Sequence, residues 1–349
     1  MKINFKTLIF FVFTSLLFSS CTSMLYTSID VLRPAKVDFE PNADKLLIIN
    51  NTIPQPHDYS HKSQLINEKI KNVSLDADSL PLFCISVLKE EIINKYFFNQ
   101  VNLQTKSINS GNDFFKVYPI LNDTIKKLCD YNSSNVVLSL DKIEVNDNID
   151  EYYLQDENSY YSTLVVRFET QWSIHYPNKR KFDSFTFRDT LFWEAYGQQR
   201  TKTLMKLPKR WDALVDGALY VGKNTVNKLI PYWDKTERYF FVTNNKYIKE
   251  GMDSVYFKNW DAAIKIWKKA LNSQSASTRA KALNNIAIAH EILDDIEKAV
   301  ESITKALETL NSSSVFVESD YLYIQHYYID LKKREKEIYL INKQLGESN

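Results

Sequence analysis

Glycine is scarce in this chain, and neither sign of charge dominates it. Six glycines among 349 residues leave few positions for phosphate-binding loops, which need the close backbone approach that glycine permits. The 44 Lys and Arg residues are balanced by 43 Asp and Glu residues. A nucleic-acid-binding protein needs a clustered basic surface, so this balance argues against nucleic acid as a partner.

Cysteine is rarer still, with three residues in the whole chain. Cys84 and Cys129 fall on the apolar faces of predicted helices, where a free thiol behaves as a small buried hydrophobe. We therefore expect both in the core. A disulfide between them is the alternative, because an exported protein meets an oxidising environment.

The third cysteine, Cys21, ends a distinctive N-terminal segment. Lys2 and Lys6 give a short basic start, Leu8–Phe18 is almost wholly apolar, and the small pair Ser19-Ser20 precedes Cys21. A basic start, a short apolar core and small residues before a cleavage site are typical of a secretory signal peptide. The apolar run is about half of the roughly 20 residues that a membrane-spanning helix needs.

The segment resembles a bacterial lipoprotein signal, in which the cysteine is acylated and becomes the first residue of the mature chain. One departure is Phe18, where the family usually has leucine. The resemblance implies removal of residues 1–20, a lipid such as palmitate on Cys21, and a tether over residues 21–43. No acidic residue precedes Asp30, which in such lipoproteins favours the outer membrane and a periplasm-facing position over display on the cell surface. The alternative is an ordinary cleaved signal with an incidental cysteine.

Residues 44–235 alternate between strand and helix patterns. Leu46–Ile49 is a short continuous apolar run, typical of a strand buried on both faces. Residues 162–176 show a sustained period-two alternation of mostly apolar and mostly polar side chains, which predicts a long strand, and a turn at 177–179 leads into a returning strand. Helices are predicted after Ser79, at 123–129 and at 211–230, and a further strand at 135–145. This order predicts an α+β domain with a mostly antiparallel sheet and helices on one face.

Residues 244–310 match themselves at a spacing of 36 positions. The matched pairs are Gly251 with Ala287, Ala263 with Ala299, Trp267 with Ile303, and Ala270 with Ala306. Small residues let two helices approach closely, and large residues fill the space between them. The pattern resembles the tetratricopeptide repeat, whose period is about 34 residues. It predicts an all-α repeat domain over 244–345, with helix pairs at 244–257 and 260–272 and at 279–292 and 295–310, followed at 320–344 by one further helix or a broken pair.

Taken whole, the chain resembles an uncharacterised family of bacterial outer-membrane lipoproteins with an N-terminal α+β domain and C-terminal tetratricopeptide repeats. That resemblance implies no known activity.

Motifs that suggest catalysis are weak. A Ser-x-x-Lys pattern at Ser86 recurs at Ser302 inside a repeat helix, where no such site is plausible. His57 and His61 have metal-ligand spacing but lie in a loop with no third ligand in view, so we expect surface histidines. Acidic residues are concentrated in what we interpret as a solvated connector between strands: Asp147, Asp150, Glu151, Asp156 and Glu157. The sequence predicts no catalysis, no metal site and no cofactor.

Binding is the better-supported function, since paired-helix repeats curve to form a concave surface. The residues expected to line this groove are Asn245, Ile248, Met252, Val255, Lys281, Asn284, Ile288 and Glu291. Lys281 with Asn284 and Asn285 is similar to repeats that clamp a peptide carboxylate. We therefore expect a protein-interaction scaffold whose groove takes an extended or helical partner segment. One alternative is a groove filled by the chain's own C-terminal helix. Another is a glycan-binding protein or hydrolase that uses aromatic side chains of the 160–200 hairpin in the 44–235 domain.

Overall fold

A computed structural model describes residues 23–180, 182–314 and 316–346. The predicted signal peptide and the predicted lipid-attachment residue, Cys21, lie outside the described residues. The strands are β1 (Ser23–Arg33), β2 (Lys45–Asn50), β3 (His61–Gln64), β4 (Lys71–Asn72), β5 (Gln100–Gln104), β6 (Val136–Leu154), β7 (Ser159–His175), β8 (Asp183–Gly197) and β9 (Tyr232–Val242). The helices are α1 (Leu80–Asn94), α2 (Asn122–Asn132), α3 (Arg200–Leu204), α4 (Arg210–Leu229), α5 (Lys246–Tyr256), α6 (Trp260–Ala270), α7 (Ala276–Ile292), α8 (Ile296–Asn311) and α9 (Glu318–Leu345).

The chain divides into two units. The sheet unit is Ala35–Pro231, and the helical unit joins the described residues before Ala35 to the described residues that follow Pro231. Sheet-rich structure followed by a run of helices confirms the predicted α+β class. Among the described residues, no helix is both long enough and apolar enough to cross a bilayer.

Strand β6 organises the sheet unit. It pairs antiparallel with β7, and β7 pairs antiparallel with β8. Along its other edge β6 accepts two parallel strands in succession, β2 near its start and β3 near its end. Strand β5 continues the sheet beside β2, and β4 continues it beside β3. The sheet is therefore mixed, with its long antiparallel hairpin at one side.

Helices α1 and α4 cover one face of this sheet. The inward residues of β7, among them Phe168 and Trp172, are buried beneath them, as the period-two pattern predicts. Gly222 lets the two helices touch, because a Cβ atom there would lie 2.2 Å from the carbonyl oxygen of Cys84. The short helix α2 packs on the opposite face, over Leu47 and Ile49 of β2.

The two internal cysteines belong to these two different cores. Cys84 lies on the face covered by α1 and α4, and Cys129 lies under α2. Both thiols are free and buried, as the sequence predicts, and the alternative of a disulfide between them is wrong. Burial raises the pKa of Cys84 to about 12, so its thiol stays protonated and unreactive.

The helical unit begins with a feature that the sequence did not predict. Residues 23–33, within the expected tether, form β1, which pairs antiparallel along its full length with β9. Because β9 lies more than 190 positions further along the sequence, no local pattern indicates this pairing. Helices α5 to α8 follow close to their predicted ranges, and α9 is one continuous helix.

The repeat pattern describes real contacts between these helices. Gly251, Ala263, Trp267 and Ala270 are buried, and so are Ala287, Ala299, Ile303 and Ala306 at the matching positions. A Cβ atom on Gly251 would lie 2.1 Å from Nε1 of Trp267, so only glycine fits beside this indole. The same indole donates a hydrogen bond to the carbonyl oxygen of Ile248, at 3.2 Å.

Candidate functional site

The residues predicted to line a groove do lie together, but they are not open to solvent. Five of the eight are buried: Ile248, Lys281, Asn284, Ile288 and Glu291. Met252 and Val255 are partly buried in the apolar core of the helical unit. Asn245 has a local role, because its side chain caps α5 by accepting hydrogen bonds from the first backbone N–H groups of that helix.

Strand β9 occupies part of this surface as an extended segment. The side chain of Asn285 accepts a hydrogen bond from the backbone N–H of Phe241 and donates one to its carbonyl oxygen, both at 2.8 Å. The neighbouring Asn284 donates to the carbonyl oxygen of Tyr239, at 3.3 Å. These amides hold β9 by its main chain, which is how a groove recognises extended backbone.

Helix α9 occupies the rest, and it is held by charge. Lys281 Nζ lies 2.7 Å from Asp320 Oδ2, and both side chains are almost fully buried. The ammonium also lies 5.5 Å from the centre of the Phe241 ring, within range of a cation–π interaction. The lysine expected to clamp a partner's carboxylate therefore holds a carboxylate of its own chain.

Glu291 is the centre of a second buried network. Arg238 of β9 donates two hydrogen bonds to its carboxylate, at 2.7 and 3.0 Å. Arg334 donates a third, at 2.7 Å, and the Tyr327 hydroxyl a fourth, at 2.8 Å, both from α9. Burial alone would raise the pKa of Glu291, but these donors and the two guanidinium charges hold it below the usual value.

The prediction of an open groove is therefore wrong, and the alternative in which the chain fills its own groove agrees with these contacts. The occupants are α9 and, unexpectedly, β9. Sequence reasoning missed Arg238, Tyr327 and Arg334 as members of the site. An available signal was Arg238, which directly precedes the aromatic residues 239–241, because a cation that is buried with such a run needs a partner of opposite charge.

The acidic residues near position 150 do not form a connector. Asp147, Asp150 and Glu151 belong to β6, which continues to Leu154. The carboxylate of Asp147 is buried between His61 and Arg210, and that of Glu151 is paired with Arg200 at 2.8 Å. Of these five residues, only Asp156 and Glu157 are exposed, in the 3₁₀ turn between β6 and β7.

His61 is correspondingly buried, so the prediction of a surface position is wrong for this histidine. His57 is exposed, as predicted, but it faces carboxylates that the sequence did not connect to it. Its Nε2 atom lies 3.9 Å from Asp76 Oδ1 and 3.7 Å from Asp78 Oδ1. These three side chains offer ligand atoms within 4.8 Å of one another and have the chemistry to hold a divalent cation at the surface. All three are exposed to water.

A Ser-His-Asp grouping, which the sequence did not suggest, occurs on the sheet face opposite α1 and α4. The Ser173 hydroxyl lies 2.6 Å from Asp141 Oδ2 and 2.8 Å from His175 Nε2. In a catalytic triad the carboxylate orients the histidine, whereas here it contacts the serine. Ser173 and His175 are buried, and burial lowers the pKa of His175, although the charge of Asp141 opposes this. The arrangement is a polar cluster within the sheet.

A row of three tyrosines, of which the two outer ones are exposed and the middle one is half-buried, lies near the tip of the long hairpin. Tyr152, Tyr161 and Tyr196 are directly opposite one another on β6, β7 and β8, on the face not covered by α1 and α4. We call these three residues the tyrosine row. The rings of Tyr152 and Tyr161 stack with their centres 6.3 Å apart. Tyr152 is 51% exposed and Tyr196 is 47% exposed.

Carboxylates and a phenylalanine border this row. The Tyr161 hydroxyl donates to Glu194 Oε1 at 2.5 Å, and that hydrogen bond raises the pKa of Tyr161. The Tyr196 hydroxyl donates to Glu157. Phe192, on the same face of β8, is 66% exposed. The hydrogen bonds fix the rings, so the hairpin presents an ordered aromatic and acidic surface to solvent.

Fold and surface together define an α+β protein whose repeat-like helices enclose its own segments and whose sheet carries an exposed aromatic row. The chain belongs to a family described as "Domain of unknown function (DUF8603)", whose model matches residues 43–241. A second model, "Domain of unknown function (DUF6340)", matches residues 249–333.

A search of curated proteins finds no match. Among solved structures, a neuraminyllactose-binding hemagglutinin homolog from Helicobacter pylori is 11% identical, with a TM-score of 0.26 over 56% of this chain and 90% of that chain. The hypothetical protein CT253 from Chlamydia trachomatis is 15% identical, with a TM-score of 0.20 over 54% of this chain and 96% of that chain. Similarity at this level carries no information about function.

Proposed function

We propose that this chain is a lipid-anchored protein of the outer membrane, facing the periplasm, that binds another protein and catalyses no reaction. The anchor is supported by the sequence of residues 1–21, with Cys21 as the acylated residue. We further propose that α5 to α8 are two tetratricopeptide-like units. The close contact of Gly251 with Trp267 and the burial of Ala287 and Ile303 at the matching positions support this classification.

The tyrosine row is the observation that carries the binding function. Tyrosine is enriched where proteins meet, because its ring is rigid and apolar while its hydroxyl can hydrogen-bond. Here three such rings stand in one line on an open sheet face. The predicted groove, by contrast, is already filled by β9 and α9, so we assign partner binding to the sheet unit.

Catalysis is disfavoured by the placement of the polar groups. His61 is enclosed by Asp147 and Gln55, and Ser173 and His175 are buried within the sheet. A nucleophile and its base must reach a substrate, and these groups satisfy each other inside the fold.

Glycan binding is the second candidate, and the carboxylates beside the row favour it. Glu157 and Glu194 have acceptor capacity beyond their bonds to the tyrosines and could receive hydrogen bonds from sugar hydroxyls while the rings stack on a sugar face. The two candidates share one surface and differ in the ligand.

The test is chemical crosslinking in intact cells, comparing the parent chain with a Tyr161→Ala/Tyr196→Ala variant. Tyr96→Ala/Tyr131→Ala is the matched control, since both tyrosines are about 90% exposed on the same unit but lie outside the row. We expect one defined protein neighbour with the parent and the control, and at least a tenfold loss with the row variant. Equal capture by all three chains would contradict the assignment. If purified parent chain instead binds cell-envelope oligosaccharides and the row variant does not, glycan binding replaces protein binding.

A further inference from the structure

Strand β1 has one paired edge and one open edge. It forms a two-stranded sheet with β9 alone, in a register that runs without a bulge from its first residue to its last. No backbone group of residues 24–32 bonds to any other described part of the chain. An edge of this kind presents a row of donors and acceptors to solvent.

The contacts of β9 show which groups of β1 form that row. The backbone N–H and C=O of Phe241 bond to Asn285, and those of Tyr239 bond to Tyr323 and Asn284, so all four point away from β1. In an antiparallel pair, opposite residues exchange both hydrogen bonds or neither. Met24 and Tyr26, opposite these two residues, therefore direct their backbone groups to the open edge. By alternation, Ser28, Asp30 and Leu32 do the same.

Devices that normally protect an edge strand are missing from β1. The strand contains no lysine and no proline, and Asp30 is the single charged residue among those whose backbone faces outward. Met24, Tyr26, Ser28 and Asp30 also have exposed side chains. The open edge of β1 therefore offers unblocked backbone N–H and C=O groups with which one more strand could pair.

We propose that β1 pairs antiparallel with β1 of a second copy of this chain, around a two-fold axis at Ser28. In this register Ser28 faces Ser28, Met24 faces Leu32, and Tyr26 faces Asp30 of the other copy. Each residue whose backbone points outward then meets another, which gives about ten backbone hydrogen bonds. No two like charges oppose each other. A register centred on Asp30 would place two carboxylates face to face and is disfavoured. The interface is independent of the tyrosine row.

Sedimentation equilibrium of the chain from residue 22 onward, which keeps every described element, tests the pairing. Ser28→Pro removes an outward N–H without removing a bond to β9, because proline is tolerated at an edge position whose N–H faces solvent. Ser28→Ala keeps the N–H and is the control. We expect dimers for the parent and for Ser28→Ala, and at least tenfold weaker association for Ser28→Pro. A monomeric parent, or a Ser28→Pro chain that associates like the parent, would overturn the proposal.

Disulfide crosslinking in the full-length chain is a second test of the β1–β1 pairing, and it does not depend on how well Ser28→Pro folds. Opposite Cα atoms in a bonded antiparallel pair lie about 5.5 Å apart, within the range of a disulfide. Ser28→Cys should therefore give a crosslinked dimer on mild oxidation. Glu237→Cys on β9 is the control, because three strand spacings of about 4.8 Å would separate its two copies. Equal dimer yields from both variants would contradict the two-fold register.

Discussion

A single missing side chain, at Gly251, sets the spacing between α5 and α6. The indole of Trp267 fills the space where a Cβ atom would be, and its N–H satisfies the carbonyl oxygen of Ile248. The second helix pair solves the same problem with different residues, Ala287 and Ile303, both buried. Ile303 is smaller than Trp267, at the matching position, and so leaves room for the Cβ atom of Ala287 where the first pair has Gly251.

Gly251→Ala should therefore destabilise the protein although alanine is the better helix former. Overpacking typically lowers the free energy of unfolding by about 1–3 kcal/mol. The better helix propensity of alanine raises it by at most about 1 kcal/mol, so we expect a net loss of stability. Denaturant unfolding measures the difference.

A double variant makes this prediction specific. Gly251→Ala/Trp267→Ile copies the residues of the second helix pair, so its destabilisation should be smaller than the sum of the two single effects. Additive effects of the two substitutions would mean that the glycine and the indole do not share this contact.

At the scale of elements, Glu291 connects three pieces of the helical unit. It lies on α7, and its four hydrogen-bond donors come from β9 and α9. A buried ion pair adds little when compared with a well-packed apolar core, but removing one partner leaves the other charge buried and uncompensated. The attachment of β9 and α9 to the helices therefore depends on this carboxylate being charged.

Acid should weaken that attachment. Since the pKa of Glu291 lies below its usual value, its contribution to stability is complete above a pH of about 5, and it is lost as the pH falls through the lowered pKa. Glu291→Gln should cost about 3 kcal/mol or more near neutral pH, because Arg238 and Arg334 lose their counter-charge. The variant should also show a shallower loss of stability between pH 5 and acid than the parent. Urea unfolding at a series of pH values gives both quantities.

Glu301 offers the matched control. Its pKa is also below the usual value, through a hydrogen bond and a charge interaction with Lys305, but the pair is exposed on α8. Glu301→Gln should change stability little at any pH, since solvent screens surface pairs. An effect as large as that of Glu291→Gln would show that burial is not the cause.

Elements with a local pattern were predictable, and those defined by distant partners were not. The alternation in β7 and the helical stripe of α4 are visible within a few residues. Strand β1 has no such signal, because its structure comes from β9. The acidic end of β6 looks solvated in sequence, since the Arg200 and Arg210 that neutralise it follow 49 and 63 positions later.

The candidate site was only partly predictable, because some of its contacts also come from segments that are distant in the sequence. The repeat spacing identified the helices and the side chains between them. It left open a groove filled by the C-terminal helix, which is α9, but it gave no sign of β9, because β9 reaches the groove from outside the repeat. The tyrosine row was also hidden, since it is assembled across three strands and depends on their register.

For the whole molecule, we propose an N-terminal anchor, a sheet unit that binds a partner through the tyrosine row, and a helical unit whose repeat groove is filled by β9 and α9. Acylation of Cys21 would hold the chain at a membrane, with β1 beginning two residues later. A free thiol at that position would remove the basis for the proposed location and for a partner in the cell envelope.

Metabolic labelling with a fatty-acid analogue, followed by mass spectrometry of the N-terminal peptide, tests that claim most directly. The parent chain should incorporate the label and begin at Cys21, in the membrane fraction. Cys21→Ser should incorporate none, while Cys84→Ser, which changes a buried thiol, should label like the parent. A native chain that begins at Met1, or that carries an unmodified thiol at Cys21, would contradict the account.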